Sequence, residues 1–324
     1  MRIVITGGAG FIGSHLAEAL LANGDRVTAM DNLSTGRRAN VEHLRANPNF
    51  DLVNESVTNE HVLDHLVRDA DVLYHLAAAV GVKLIVDKPV RTIETNILGT
   101  GVVLKVAARY GTRVFLASSS EVYGKSDRIP FAEDTDMVLG STTHSRWCYA
   151  CSKAIDEFLA LAYHRQNDLP VVIGRFFNTV GPRQTGQYGM VIPRFVQQAL
   201  DGEPITVYGD GKQVRCFCHV RDVVAVVPNL MAEPRAQGGI FNIGSREGIS
   251  INELAAKVKA ITASKSEIVH IPYEEAYEAG FEDMHTRVPD TTKVVKLVGF
   301  KVTRNIDQII GDVAEHFRRQ GTGR

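Results

Sequence analysis

The sequence lacks an excess of charge of either sign, and it lacks long apolar runs. Thirty-six Lys and Arg residues face 37 Asp and Glu residues, for a formal net charge of −1. This balance gives no electrostatic reason to expect nucleic acid or an anionic membrane as a partner. No apolar stretch approaches the roughly 18 residues of a spanning helix, and a strand-like run begins directly after Met1, which leaves no room for a signal peptide. We therefore expect a soluble, cytoplasmic protein.

Cysteine is also scarce, with four residues in 324. They form two close pairs, Cys148/Cys151 and Cys216/Cys218. The Cys-Phe-Cys spacing places two thiols on one face of a strand-like run, and no glycine-rich metal-binding turn accompanies it. We predict reduced, partly buried cysteines and no metal site.

No internal repeat or low-complexity segment interrupts a regular alternation of apolar strand-length runs and helical stretches. Because the strands read as continuous apolar runs, the alternation indicates a parallel sheet covered on both faces. The predicted strands are Ile3–Thr6, Val27–Met30, Asp51–Val53, Val72–Leu76, Val114–Ala117 and Val171–Gly174, and the predicted helices are Phe11–Ala22, Val90–Tyr110 and Tyr149–Arg165. We predict an α/β protein with a Rossmann-type, doubly wound parallel sheet.

After about Arg175 the elements become shorter, and Gly and Pro become more frequent. A capping box at Ser250 and Glu253 opens a predicted helix, and Pro228 predicts a kink or an early stop in a helical stretch over residues 222–231. The other predicted elements are a helix over Val191–Leu200 and strands over Pro204–Val207 and Val214–Cys218. This half predicts a smaller C-terminal α/β lobe at the carboxyl edge of the sheet, where open parallel sheets bind ligands.

The stretch "GGAGFIG", residues 7–13, follows the first strand and opens the first helix. It matches the G-x-G-x-x-G pattern, in which glycines let the backbone approach a pyrophosphate at a helix N-terminus. Asp31 ends the next strand, where it can accept hydrogen bonds from an adenosine ribose. A carboxylate there would repel a 2′-phosphate, so NAD is favoured, although Arg37 and Arg38 leave NADP open. We predict an NAD-binding domain over residues 1–176, with 218–244 returning to it, and a substrate-binding lobe mainly over 177–324.

The stretch "YACSK" places Tyr149 and Lys153 four residues apart, on one face of a helix. An ammonium beside a phenol lowers the pKa of the phenol, which would let Tyr149 act as a base near neutral pH. On its own this spacing more often marks a solvated helix face. The glycine motif upstream and the "SSSE" run after the fifth strand favour a catalytic role.

These motifs resemble those of the extended short-chain dehydrogenase/reductases that act on nucleotide sugars. "TGGAGFIGSHL", "DNLSTG", "HLAA", "SSSEVYG", "YACSK", "RFFNTVGPR" and "TVYGDG" follow in the order of that family. The resemblance implies a catalytic set of Ser119, Tyr149 and Lys153, and Asn96 as a supporting residue. It also implies oxidation of a sugar at C4 by tightly held NAD, after which the 4-ketone is reduced, dehydrated or decarboxylated.

The motif and the resemblance together predict the residues that contact the cofactor, with Ser56 standing where the family usually has Asp. They are Gly7, Gly10, Phe11, Ile12, Gly13, Asp31, Asn32, Ser34, Thr35, Gly36, Ser56, Val57, Leu76, Ala77, Ala78, Tyr149 and Lys153.

The fate of the ketone depends on residues near the sugar. The 4,6-dehydratases of the family carry an acidic residue where Ser120 stands, and a hydroxyl is a poor general acid. Ser120-Glu121 instead resembles UDP-glucuronate decarboxylases and UDP-apiose synthases, so Glu121 joins the catalytic residues. Arg146 matches an arginine of the decarboxylating relatives, and a guanidinium suits a sugar carboxylate or a phosphate oxygen. Arg287 matches the late arginine of the family, which reaches the sugar and the pyrophosphate.

One position departs from the decarboxylase pattern. Met190 stands where the xylose-forming members carry arginine, whereas Arg194, one helical turn on, matches UDP-glucuronate 4-epimerases. The sequence leaves open whether Arg146 or Arg194 meets a carboxylate. The predicted substrate-binding residues are Lys83, Ser120, Glu121, Arg146, Asn178, Val191, Arg194, Tyr208, Arg215 and Arg287.

The preferred hypothesis is therefore an NAD-dependent decarboxylase of a UDP-sugar, with UDP-glucuronate as substrate. The rival is a 4-epimerase of UDP-glucuronate or UDP-glucose, and a third hypothesis is an NAD-binding regulator without catalysis. The resemblance further implies a homodimer joined through the helices Val90–Tyr110 and Tyr149–Arg165.

Overall fold

The computed structural model describes residues 1–81, 85, 87–186, 190–276, 284 and 286–321. Its strands are β1 (Arg2–Thr6), β2 (Arg26–Met30), β3 (Phe50–Val53), β4 (Val72–His75), β5 (Arg113–Ser119), β6 (Val171–Phe176), β7 (Thr179–Val180), β8 (Ile205–Tyr208), β9 (Val214–Cys216), β10 (Cys218–His219), β11 (Gly239–Ile243), β12 (Gly248–Ser250), β13 (Ile268–Ile271) and β14 (Thr286–Arg287).

The described helices divide between the two halves of the chain. They are α1 (Phe11–Ala22), α2 (Glu60–Val67), α3 (Pro89–Tyr110), α4 (Trp147–Asn167), α5 (Val191–Asp201), α6 (Val220–Ala232), α7 (Ile251–Ile261), α8 (Tyr273–Ala276), α9 (Thr292–Val298) and α10 (Ile306–Gly321).

Seven strands form one sheet in the order β11-β6-β5-β4-β1-β2-β3, and every pairing between them is parallel. Apolar side chains of α1 and α6 pack on one face, and those of α2, α3 and α4 pack on the other. The predicted doubly wound fold is confirmed. Strand order reverses beside β1, between β2 and β4, which opens a crevice at the carboxyl ends of the strands.

The C-terminal half builds a smaller lobe around its own apolar core. Phe195 of α5, Leu254 of α7 and Val313 of α10 are buried together in it. Short sheets β12-β9-β14, β13-β8 and β10-β7 lie outside the main sheet, whereas β11 returns to pair with β6. The exact division between domains remains a prediction.

Two local expectations were incomplete. The segment 214–218 is two strands, because β9 ends at Cys216 and pairs with β12, whereas β10 starts at Cys218 and pairs with β7. The early stop at Pro228 was wrong, since α6 continues to Ala232. An interior proline costs a helix about 3 kcal/mol, and the buried Val223, Val227 and Leu230 of α6 supply apolar burial that offsets such a loss.

Within the described residues, no helix combines the length and the apolar content that crossing a bilayer requires.

Candidate active site

A cleft of about 760 Å³ runs from the glycine-rich turn to β14 and is lined by both halves of the chain. Its walls include the ends of β1, β4, β5 and β6 together with parts of α5, β8 and β9. Most of the predicted site residues line this cleft. The exceptions are Gly36, which packs against Asp31, the buried Lys153, and Lys83, which lies outside the described residues.

The glycine turn brings backbone close to backbone at one end of the cleft. Gly7 has a φ of 72°, and its amide donates to the Met30 carbonyl at 2.8 Å. A Cβ on Gly13 would lie 2.2 Å from the Gly7 carbonyl oxygen, a distance that no side chain tolerates. The turn therefore requires glycine, and it leaves the start of α1 facing the cleft, where a helix N-terminus favours an anion.

Asp31 directly follows β2 and is almost completely buried. Its carboxylate accepts hydrogen bonds from the amides of Ala9 at 3.0 Å and Leu33 at 2.8 Å. Burial raises the pKa of Asp31, while the bonds from Leu33, Ala9 and Gly10 oppose that rise. The carboxylate thus shapes the glycine turn in addition to lining the cleft.

The remaining predicted cofactor residues form the walls of the same end of the cleft. They are Phe11, Ile12, Asn32, Ser34, Thr35, Ser56, Val57, Leu76, Ala77 and Ala78. Asn96 supports this wall, because its Oδ1 accepts from the Ala79 amide at 2.9 Å and its Nδ2 donates to Ser152 Oγ at 3.0 Å.

Tyr149 lies one turn into α4, next to the end of β5. Its phenol lies near the side chain of Ser119, the last residue of β5. Burial raises the pKa of Tyr149 well above its usual range, the charge of Glu121 raises it further, and the Ser119 side chain opposes both. The elements therefore bring Ser119 and Tyr149 together as predicted.

Lys153 forms an ion pair within α4. Its Nζ lies 2.8 Å from Asp156 Oδ2, and both side chains are buried. The Asp156 carboxylate offsets the ammonium charge, and its own charge raises the pKa of Tyr149. That the Lys153 ammonium lets Tyr149 act as a base near neutral pH stays a prediction.

Glu121 lies at the other end of the cleft, between two arginines. Its Oε1 accepts a hydrogen bond from Arg287 Nη1, and its Oε2 forms an ion pair with Arg146 Nη2 at 3.4 Å. Glu121 follows β5, Arg146 precedes α4, and Arg287 is in β14. The buried Ser120 lies beside Glu121 in the same wall. Two cations and one anion next to Tyr149 form a pocket that can bind an anionic substrate group.

Arg194 contacts the ring of Tyr208 and the backbone of Thr206. Its guanidinium carbon is 3.9 Å from the ring centroid of Tyr208, and its Nη2 donates to the Thr206 carbonyl at 3.0 Å. The structure thus brings Arg146, and not Arg194, into contact with Glu121.

The other residues at this end also line the cleft. Asn178, Val191 and Arg215 are among its walls, and Asn178 Nδ2 donates to the Cys216 carbonyl at 2.8 Å.

The sequence analysis did not identify Asp156 and Thr100 as residues near the site. Asp156 is three residues after Lys153, a spacing that brings two side chains together on a helix, so the sequence did contain a signal for the pair. Thr100 belongs to α3, and nothing local indicates that it meets α4. Its hydroxyl bonds with His75 Nε2 at 3.0 Å.

All four cysteines are free thiols. Burial raises the pKa of Cys216 to about 12 and that of Cys218 higher still. Over the part of the chain that the structure describes, no group of His, Cys, Asp and Glu side chains could hold a metal ion.

Comparison with known proteins agrees with this geometry. The family model described as GDP-mannose 4,6 dehydratase matches residues 4–313. A UDP-N-acetyl-alpha-D-glucosaminuronate decarboxylase from Bacillus cytotoxicus is 43% identical, over 98% of both chains. UDP-glucuronic acid decarboxylase 2 from Arabidopsis thaliana is 38% identical, over 100% of this chain and 69% of the relative.

A solved structure also matches over nearly the whole chain. It is a UDP-glucuronic acid 4-epimerase mutant from Bacillus cereus, in complex with UDP-4-deoxy-4-fluoro-glucuronic acid and NAD. The two chains share 27% identity and a TM-score of 0.89, and the match covers 99% of this chain and 100% of that one.

Proposed function

The chain belongs to the extended short-chain dehydrogenase/reductases that act as nucleotide-sugar epimerases and dehydratases, and we propose that it decarboxylates a UDP-linked hexuronate through a 4-keto intermediate. The single observation that carries this reaction is the placement of Glu121 between Arg146 and Arg287, beside Tyr149. The relatives that decarboxylate UDP-hexuronates support the substrate class.

The residues of the cleft fit NAD. A pyrophosphate needs close approach to backbone amides. Gly7 packs on the Ala77 backbone and Gly13 on the Gly7 carbonyl, and this tight turn leaves the start of α1 at the wall of the cleft. The Asp31 carboxylate lines the same end of the cleft, and the solved relative from Bacillus cereus contains NAD. When bound, NAD would supply the hydride acceptor for oxidation at C4.

Tyr149 removes the proton of the C4 hydroxyl in this proposal, and the nearby Ser119 side chain orients that hydroxyl. The C4 ketone then makes the C5 carboxylate a β-keto acid, which loses carbon dioxide readily. Arg146 and Arg287 hold the carboxylate and the enolate that follows. One proton from solvent replaces the lost group at C5. Tyr149 then returns its proton to the C4 oxygen as C4 regains a hydride, which the reduced NAD would supply, and the pentose product results.

UDP-glucuronate is the first substrate to test, and its 2-acetamido-2-deoxy counterpart is the second. The purified enzyme is incubated with each sugar, and the product is identified by mass spectrometry and NMR. A product lighter by carbon dioxide supports the proposal. A C4 epimer of unchanged mass from either sugar supports the rival epimerase, which the match to the Bacillus cereus enzyme favours.

We also propose a homodimer through α3 and α4, which pack against each other. Val90 and Leu98 of α3 and Phe158 of α4 are more than half exposed, at 67%, 57% and 62%. Such apolar exposure on two adjacent helices is typical of a surface covered by a partner. Sedimentation should give a dimer for the wild type and a monomer for Phe158→Glu. A monomeric wild type would overturn this part.

A further inference from the structure

Buried polar side chains form a chain behind Tyr149. Lys153 and Asp156 are 2% and 1% exposed, and their Nζ and Oδ2 atoms are 2.8 Å apart. The Thr100 hydroxyl of α3 lies close enough to Asp156 to lower its pKa, and the same hydroxyl bonds with His75 Nε2 at 3.0 Å. His75 Nδ1 in turn bonds with Thr6 Oγ1 at 2.7 Å. The chain therefore joins α4, α3, β4 and β1.

A buried carboxylate at Asp156 is costly for folding. Taking two charges out of water costs several kcal/mol per ion, and apolar side chains of similar size often serve a core equally well. The second oxygen, Oδ1, is buried and makes no hydrogen bond with the described residues. Packing between α3 and α4 thus does not explain an acid at this position. Pairing with the buried Lys153 ammonium does explain it.

The other acidic groups around Tyr149 form ion pairs with arginines. Glu121, in the turn after β5, is bound by Arg287 and Arg146. Glu157 binds the guanidinium of Arg175 on β6 through both carboxylate oxygens, at 2.9 and 2.7 Å.

Two further titratable groups contribute no charge at neutral pH. Burial lowers the pKa of His75 to about 3, so its ring is neutral. Burial raises the pKa of Tyr123 to about 12, which keeps that phenol protonated. Asp156 is therefore the charge that balances Lys153.

We propose that Asp156 is a positioning residue for the C4 oxidation: it fixes the Lys153 ammonium one helical turn from Tyr149 and sets how readily Tyr149 gives up its proton. The inference rests on Tyr149 as the base of the proposed function. The negative charge of Asp156 is one of the groups that raise the pKa of Tyr149. Removing that charge while keeping the ammonium should make the phenol more acidic.

The test measures Tyr149 directly, without turnover. Ring-fluorinated tyrosine, whose phenol ionises at lower pH, is incorporated into the unliganded protein, and its ionisation is followed by ¹⁹F NMR. The spectrum of Tyr149→Phe assigns the signal. Asp156→Asn should lower the ionisation midpoint by about one pH unit, the scale of coupling between buried charges two helical turns apart. Asp156→Glu, which keeps the charge, should return the midpoint towards that of the wild type.

Asp222→Asn is the matched control. Asp222 is a buried carboxylate of α6 that accepts a hydrogen bond from the Thr303 amide at 3.1 Å. Removing its charge should leave the ionisation midpoint of Tyr149 unchanged. Asp156→Ser serves as a second neutral substitution if the asparagine variant does not fold. An unchanged or raised midpoint in a folded neutral variant overturns the proposal, because it means that Asp156 only supports packing or that Lys153 loses its charge as well.

A kinetic readout separates this inference from the proposed function. In single turnover with whichever sugar the enzyme oxidises, the rate rises with pH as Tyr149 loses its proton, and Asp156→Asn should move that rise to lower pH. If no uronate is turned over, the proposed function fails and the NMR result still stands. If decarboxylation proceeds but the NMR midpoint does not move, only the role of Asp156 fails.

Discussion

The two ends of the cleft are built in different ways. The end predicted to bind NAD is built largely from neighbouring segments, since the glycine turn, Asp31 and the residues after β2 all lie within the first 40 positions. The end proposed to bind the sugar combines side chains from distant segments, because Arg287 and Glu121 are 166 positions apart. In the proposed function, the glycine turn and Asp31 bind the dinucleotide, whereas the side-chain pocket selects the sugar and the reaction. Substitutions at the two ends should therefore affect different measurements.

Tyr149→Phe should have the largest effect, because it removes the proposed base from the point where the two ends meet. We expect loss of C4 oxidation by about 1,000-fold or more, within the range that a positioned acid–base group contributes. The measurement is the NADH absorbance in single turnover, with NAD binding measured separately as a control. Retained NADH formation would remove Tyr149 from its proposed role.

Arg287→Ala should come next, with an effect limited to the sugar end. We expect decarboxylation to slow by about 100-fold, the scale of losing one preorganised charged donor, while NAD affinity stays the same. A 4-keto sugar should accumulate and be detectable by mass spectrometry. The control is Arg235→Ala, which breaks an exposed ion pair with Glu233, where little effect is expected. Equal losses in both variants would contradict the account.

Gly13→Ala should weaken NAD binding at the glycine turn. Its methyl group would lie 2.2 Å from the Gly7 carbonyl oxygen and force the turn to open. We expect NAD affinity, measured by fluorescence titration, to fall by about tenfold or more, comparable to a loss of 1.4 kcal/mol in binding. Gly101→Ala on α3 meets no atom within 4 Å and is the matched control. Unchanged NAD affinity in Gly13→Ala would argue against binding at this turn.

Glu121→Gln should give the smallest and most specific effect on C4 oxidation. The negative charge of Glu121 raises the pKa of Tyr149, so the neutral glutamine lowers it. Because the rate rises as the phenol loses its proton, the rising limb of the pH–rate profile should move to lower pH, by less than about one unit. A limb that moves to higher pH, or that does not move, would show that Glu121 does not act on Tyr149 electrostatically.

Sequence reasoning succeeded where local geometry decides the structure. The glycine turn, the alternation of strands with α1, α3 and α4, and the capping box at Ser250 depend on neighbouring residues, and each is present in the structure. The resemblance to known nucleotide-sugar enzymes was sufficient to place Glu121, Arg146 and Arg287 among the predicted substrate-binding residues. The sequence alone could not establish their contact, since it depends on how the small lobe packs on the sheet.

What the sequence analysis did not establish also has physical causes. Lys153 and Asp156 are three residues apart, but the spacing alone does not show that the two side chains are buried together. Residue spacing likewise could not distinguish Arg146 from Arg194, because the stacking of Arg194 on Tyr208 depends on tertiary packing between α5 and β8. The cytoplasmic location remains a prediction.

The most direct test of the account is the fate of hydrogen during turnover of UDP-glucuronate in heavy water. We predict a UDP-pentose that carries one deuterium at C5, where carbon dioxide was lost, and the original hydrogen at C4, where the same hydride left and returned. ¹H and ²H NMR distinguish the two positions. A product of unchanged mass with inverted C4 and no deuterium at C5 would contradict decarboxylation, and deuterium at C4 would contradict the hydride cycle itself.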